Sequence, residues 1–214
     1  KLLTKSELFV RVNQIYDGSE AEIDAVIEAG AEVVMLPSFK TAAQVKKFVD
    51  CVKGRAKTCL LFETPEAVKL ADEILELDGI DECYIGLNDL HLGYGMKFMF
   101  EPVADGTVDS LCAKFARAGK PYGFGGIARL DTGTLSADII LGENVRLGCS
   151  TQILSRGFCD VRKLSPEECI EVFNVEVPKM KKREAELREK DDAFFRENHS
   201  ELQRVVANIV ESQR

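Results

Sequence analysis

Short apolar runs without polar alternation, each followed by a capped helix, constrain this chain more than any other feature. Leu8 to Asn13, Glu32 to Leu36, Thr58 to Glu63, Asp81 to Gly86, Pro121 to Gly126 and Val145 to Leu154 read as six strands. A strand with one wet face alternates apolar and polar side chains. These do not, so both faces are expected to be covered, as in a parallel α/β sheet. Ser19-Glu20-Ala21-Glu22 and Thr41-Ala42-Ala43-Gln44 fit capping boxes, and Thr64-Pro65 sets a cap before a first-turn proline. Gly30 closes the first helix as a left-handed cap, and Gly54, Gly79 and Gly119 end later units. Helices are also expected over Thr107 to Ala118 and Leu135 to Asn144, and Ser165-Pro166-Glu167-Glu168 caps another.

With 214 residues, 45% of them hydrophobic, the chain suits one globular domain with a full core. The net charge of −8 would repel a phosphate backbone, which argues against nucleic acid as a partner. No apolar run approaches the roughly 20 residues that span a bilayer, and no signal-peptide pattern opens the sequence. No membrane partner and a cytoplasmic location are therefore expected. Seven cysteines are scattered without a CxxC pair, several inside apolar strands, as reduced structural thiols are.

The polar residues Arg11, Glu63, Asp89 and Arg129 gather at the C-terminal ends of strands, where a (β/α)8 TIM barrel places its site. No GxGxxG follows the first strand, so a dinucleotide-binding fold has little support. Six strands are two too few for a barrel, and the sequence opens at Lys1, almost directly on a strand. The expectation is a barrel lacking its first two βα units in this chain. Asn88 to Gly106 reads as a long irregular stretch of the kind that carries function or forms a lid. Beyond Pro178 the chain becomes highly charged. Met180 to Val210 is expected as one long helix with an apolar stripe of Leu187, Phe194, Leu202, Val206 and Ile209. The division expected is a barrel domain over 1–164 and a helical extension over 165–214 that packs on another subunit of a homo-oligomer.

Glu63 and Asp89, at the ends of neighbouring parallel strands, could share one hard divalent cation through oxygen ligands. Each has a structural alternative: Glu63 could stabilise the following helix N-terminus, and Asp89 could close an Asx-turn. Arg11 on an apolar strand calls for an anion, because a buried unpaired charge is costly. Arg129 could reach substrate or bridge its loop by an ion pair. Ser150 and Ser155 have no partner base, and Lys40 fits a surface loop, so neither a serine nucleophile nor a Schiff base is expected.

The stretch from Cys59-Leu60-Leu61-Phe62-Glu63 to Ile74-Leu75, then Gly79-Ile80-Asp81 and Ile85-Gly86-Leu87-Asn88-Asp89-Leu90, resembles the HpcH/HpaI aldolase family. That family includes citrate lyase β-subunits and lies in the phosphoenolpyruvate/pyruvate-dependent barrel superfamily. Val10-Arg11-Val12 and Met35-Leu36-Pro37 are similar as well, and the likeness runs from about Leu8 to Asp160. The resemblance implies a class II aldolase that cleaves or forms 4-hydroxy-2-oxo acids, with pyruvate as the enolisable partner and Mg or Mn as cofactor. It makes Glu63 and Asp89 the metal ligands and Arg11 the catalytic arginine that contacts pyruvate. Gly86 and the backbone of Leu87, Asn88 and Asp89 would then bind its carboxylate. Two departures stand out. The family's histidine–acid pair, on a strand ahead of the arginine strand, has no counterpart before Leu8; His91 is a substitute or a surface loop residue. Leu87-Asn88 also replaces the Pro-Ala found in many relatives.

Three functions follow. The first is a metal-dependent aldolase or lyase acting on a 2-oxo acid and an aldehyde. The second is a malyl-CoA, citramalyl-CoA or citryl-type ester lyase, which would share Arg11, Glu63 and Asp89. The third is a catalytically weak barrel serving as a binding or assembly subunit.

Overall fold

The computed structural model describes residues 5–130 and 132–212. Its framework is a five-stranded parallel sheet of β1 (Phe9–Arg11), β2 (Val33–Leu36), β3 (Lys57–Phe62), β4 (Glu82–Ile85) and β5 (Tyr122–Phe124). The strands pair in sequence order, each beside the next. A doubly wound fold would reverse its strand order at a switch point, whereas steady progression is the winding of a barrel wall. All residues of β2 and β5 and five of the six in β3 are buried, as runs without polar alternation predict. β1 departs from this. It lies at one end of the sheet, and Phe9 and Arg11 are exposed.

Helices α1 (Ser19–Glu28), α2 (Ala42–Val52), α3 (Pro65–Lys69) and α4 (Ala71–Leu75) connect the first four strands. Thr41 and Gln44 form the expected capping box on α2, and the Thr64 side chain accepts from the Ala67 N–H at the start of α3. The box expected at Ser19 does not form. Gly18 is the cap of α1, the Ser19 hydroxyl accepts from the Tyr16 N–H, and Glu22 instead accepts from the backbone and side chain of Asn13. The tertiary partner at Asn13 outcompetes the local bond.

The stretch expected to be irregular is largely helical. It contains α5 (Leu87–Gly93) and α6 (Glu101–Ala104), and is followed by α7 (Thr107–Arg117). Leu87, Leu90 and His91 form the buried stripe of α5 at helical spacing, which the Gly93 and Gly95 signals masked. The helix expected over Leu135 to Asn144 is present as α8 (Ala137–Arg146), whereas the strand expected over Val145 to Leu154 is an irregular segment that makes a single parallel bridge between Leu154 and Ile127. That segment still runs beside β5, so close that a Cβ on Gly123 would lie 2.0 Å from the Thr151 carbonyl oxygen. Tyr84 holds it: the hydroxyl donates to the Gly125 carbonyl at 2.9 Å and accepts from the Ile153 N–H at 2.8 Å.

Between sheet and helices, Phe39, Phe62, Phe115 and Tyr122 form a chain of aromatic contacts with ring centroids 5.1, 4.9 and 5.8 Å apart. The long helix expected over Met180 to Val210 is divided: its first part belongs to α9 (Pro166–Arg188), the helix capped at Ser165, which runs through Pro178, and the rest is α10 (Asp192–Ser212). The capping box at Ser165 forms as expected. Leu187, Leu202 and Val206 join the main core, and α10 packs on α8 and α6 of the same chain. Three residues of the expected stripe are thus buried within the chain, while Phe194 and Ile209 are half-buried. No helix among the described residues is long and apolar enough to cross a membrane.

A charged lattice fixes α10. Glu143 of α8, fully buried, accepts from Asn198 Nδ2 at 2.8 Å and lies 2.9 Å from His199 Nδ1. Arg146 donates to the same carboxylate at 2.6 and 2.8 Å and to Asp109 of α7 at 2.7 Å. Glycine at 142 admits the Asn198 amide, which would lie 2.7 Å from a Cβ there. Removing one partner of such a network strands the other charge in the interior, so Glu143→Ala is expected to cost about 3–5 kcal/mol. Urea unfolding checks this; an unchanged midpoint would mean that the lattice contributes nothing to holding α10.

Candidate functional site

The C-terminal ends of β1 to β3 and the first turn of α5 enclose a polar cavity of about 350 Å³. Arg11, Asn13, Gln14, Ser38, Glu63 and Asp89 line it, with Val12 and Pro37. The structure therefore brings together three residues singled out from sequence, separated by up to 78 positions (89 − 11).

Glu63 follows β3 directly and continues the face of Cys59 and Leu61, which points inward with Val33, Met35 and Tyr84. It is 4% exposed, whereas Asp89 is exposed, so one carboxylate sits on the floor and the other at the mouth. Ser38, just past β2, donates both its backbone N–H and its hydroxyl to Glu63 Oε1, each at 2.9 Å. On the other side Gly86 allows the carboxylate in, because a Cβ there would stand 2.8 Å from both Glu63 Cβ and Oε2. Burial pushes the Glu63 carboxyl above its ordinary pKa, and the charge of Asp89 adds to the rise. The Ser38 bonds and, least, the Arg11 charge work against it.

Arg11 is exposed at the cavity wall rather than buried, so the desolvation argument for an anion partner does not apply to it. It is not ion-paired among the described residues, and it also borders a larger apolar cavity of about 640 Å³ over the inward face of the sheet. The Leu87 side chain is buried in the core, so that residue can offer a ligand only its backbone. Asn88 is exposed, and the N–H groups of the first turn of α5 have no intrahelical acceptor.

The remaining candidates lie elsewhere. His91 is not a surface loop residue: it is buried in α5, its Nδ1 3.1 Å from the Leu87 carbonyl oxygen, and it does not line the cavity. Arg129 does not line the cavity and forms no ion pair among the described residues; its Nε donates to the Phe158 carbonyl at 2.7 Å. Lys40 pairs with Glu66 at the surface. Ser38, Asn13 and Gln14 escaped the sequence analysis. A strand ending in Pro37-Ser38 hints at a turn, but nothing local to it reports a carboxylate 25 residues away.

Two carboxylates in one polar cavity are hard oxygen donors suited to Mg or Mn. The electrostatic pressure of Asp89 on Glu63 is what a shared cation would relieve. Among the described residues no three His, Cys, Asp or Glu side chains converge, so substrate and water would supply the other ligands.

A carboxyl whose pKa rises on folding contributes stability at acid pH that is lost as pH climbs through the folded value. Glu63→Gln is therefore expected to raise the thermal midpoint at pH 7 in chelator-treated protein. The advantage should shrink as the pH falls and wild-type Glu63 becomes protonated. A lower midpoint for the variant at pH 7 would contradict the strained-carboxylate picture.

Comparisons with known proteins bear on the fold and the family. Over 144 residues, 53% of this chain, the sequence is 27% identical to 2-keto-3-deoxy-L-rhamnonate aldolase of Salmonella gallinarum. The match spans 54% of that protein, so the chain covers about half the length of this curated relative. Among solved structures, an HpcH/HpaI aldolase from Desulfitobacterium hafniense DCB-2 superposes with a TM-score of 0.56 at 18% identity, over 75% of this chain and 74% of that one. The protein CitE from Mycobacterium tuberculosis, in complex with magnesium and pyruvate, gives 0.60 at 17% identity, over 91% and 74%. These neighbours establish the fold. Residues 2–136 match the model of the HpcH/HpaI aldolase/citrate lyase family, and the chain belongs to that family.

Proposed function

We propose that the protein is a divalent-cation-dependent carbon–carbon lyase that cleaves or forms a 4-hydroxy-2-oxo acid by way of a pyruvate enolate. The observation that carries this is the convergence of Glu63, Asp89 and Arg11 on one polar cavity at the strand ends. The aldolase named among its relatives and the magnesium and pyruvate bound by the CitE protein support it.

Glu63 and Asp89 would hold Mg or Mn. The cation would act as a Lewis acid toward the oxygens of the 2-oxo acid. Arg11 would orient the 2-oxo acid and offset the negative charge that develops on its keto oxygen. In the cleavage direction the C4 hydroxyl gives its proton to a base, its electron pair forms the aldehyde carbonyl, and the C3–C4 bond breaks. The electron pair of that bond passes into C2–C3 and onto the keto oxygen, and the departing enolate takes a proton at C3 to become pyruvate. Gly86 and the backbone N–H groups of Leu87 and Asn88 would receive the carboxylate. Their support is the open first turn of α5, which presents unpaired donors to an anion.

Exchange of the pyruvate methyl protons in D2O, followed by proton NMR with and without Mg, tests the chemistry without knowing the aldehyde. The expected result is Mg-dependent exchange abolished by Glu63→Ala and reduced about 100-fold or more by Arg11→Ala. Exchange that ignores both Mg and Glu63 would sink the proposal. Its complete absence would favour the ester lyase or a binding role.

A further inference from the structure

Ser38 stands out in the backbone. Among the described residues it and Lys53 are the two non-glycine residues with positive φ, at 53° and 54°. Lys53 occupies the left-handed position that ends α2, an ordinary place for it. Ser38 ends no helix. It follows Pro37 in the turn after β2, where glycine or asparagine would be the relaxed choice. A serine held there against its own preference is doing something a glycine could not. The left-handed turn aims the N–H and the hydroxyl of one residue at one oxygen, Glu63 Oε1. On the other side Gly86 lacks the Cβ that would stand 2.8 Å from Oε2. Oε1 is thereby occupied by two donors, whereas Oε2 accepts no hydrogen bond among the described residues, in a side chain that lines the cavity together with Asp89.

We infer that Ser38 is a positioning residue for the divalent-cation site, clamping Glu63 in one rotamer so that Oε2 faces the cation. The inference rests on the proposed function above. It goes beyond that proposal by locating the control of the carboxylate on a residue that touches neither cation nor substrate. A backbone amide alone would hold Oε1 at a point and leave the carboxylate free to rotate. The added hydroxyl fixes its plane, as outer partners of metal ligands do.

The test is Mn(II) binding to the full chain by electron paramagnetic resonance, with thermal unfolding in chelator on the same proteins. Ser38→Gly keeps the N–H and relieves the left-handed strain, while Ser38→Ala keeps the strain and removes only the hydroxyl. The positioning role predicts that both lose Mn(II) affinity by about 10-fold or more. Ser38→Gly should nevertheless unfold at the same temperature as wild type or higher, a split that a merely structural serine would not give. Wild-type affinity in both variants, with Glu63→Gln abolishing binding, overturns the role of Ser38 and leaves the cation site standing. Affinity that falls only in step with unfolding temperature also overturns it. No Mn(II) binding by the wild type overturns the cation site and this inference together.

Discussion

The site depends on one constraint: Glu63 must be carried as a charge to the end of a strand that is otherwise apolar on both faces. β3 lies at the centre of the sheet, hydrogen-bonded to β2 and β4, and Thr58 to Phe62 are all buried. A carboxylate placed there loses most of its hydration. Each neighbouring feature answers that loss. Ser38 supplies two donors from the end of β2, and Gly86 gives up a side chain so that the carboxylate can lie against the backbone beyond β4. Asp89 then adds a second negative charge, which makes the local balance worse. Two carboxylates arranged to repel each other make poor structural chemistry and good cation chemistry, which is why the cavity reads as a site rather than as a satisfied polar pocket.

The same strands explain why the site can be rigid. Parallel pairing in sequence order places the ends of β1 to β4 side by side, and the aromatic chain from Phe39 through Phe62 and Phe115 to Tyr122 packs the helices against them. Phe62 immediately precedes Glu63, so the last core residue of β3 anchors the first residue of the site. At the far side of the molecule, α10 is held by a different kind of bond. Glu143, Arg146, Asp109, Asn198 and His199 make a charged lattice between α7, α8 and α10. Such a lattice specifies one docking geometry more sharply than apolar contact, because each misplacement strands a buried charge.

The larger cavity over the inward face of the sheet, bordered by Phe9, Val33, Met35, Cys59 and Leu61, belongs to the same architecture. Its lining is the second, separate apolar cluster of the chain. Arg11 borders both this cavity and the polar one, where the apolar interior of the sheet gives way to its polar end.

By itself the sequence determined the parallel α/β class, the positions of β2 to β4 and the caps at Thr41, Thr64 and Ser165, and it singled out Arg11, Glu63 and Asp89, which line one cavity. These are carried by short-range signals: apolar runs, N-cap residues, and a carboxylate abutting a strand. Tertiary structure decided the rest. Ser19 lost its cap because Asn13 claimed Glu22, and α5 formed where glycines suggested a loop because Leu87, Leu90 and His91 found a core to bury in. The final strand became an irregular, bridged segment held by the Tyr84 hydroxyl, and α10, with Leu202 and Val206 buried, packs on α8 and α6. Ser38 was invisible for the same reason. Its role lies in a left-handed turn and a partner 25 residues away, and no local pattern encodes either one.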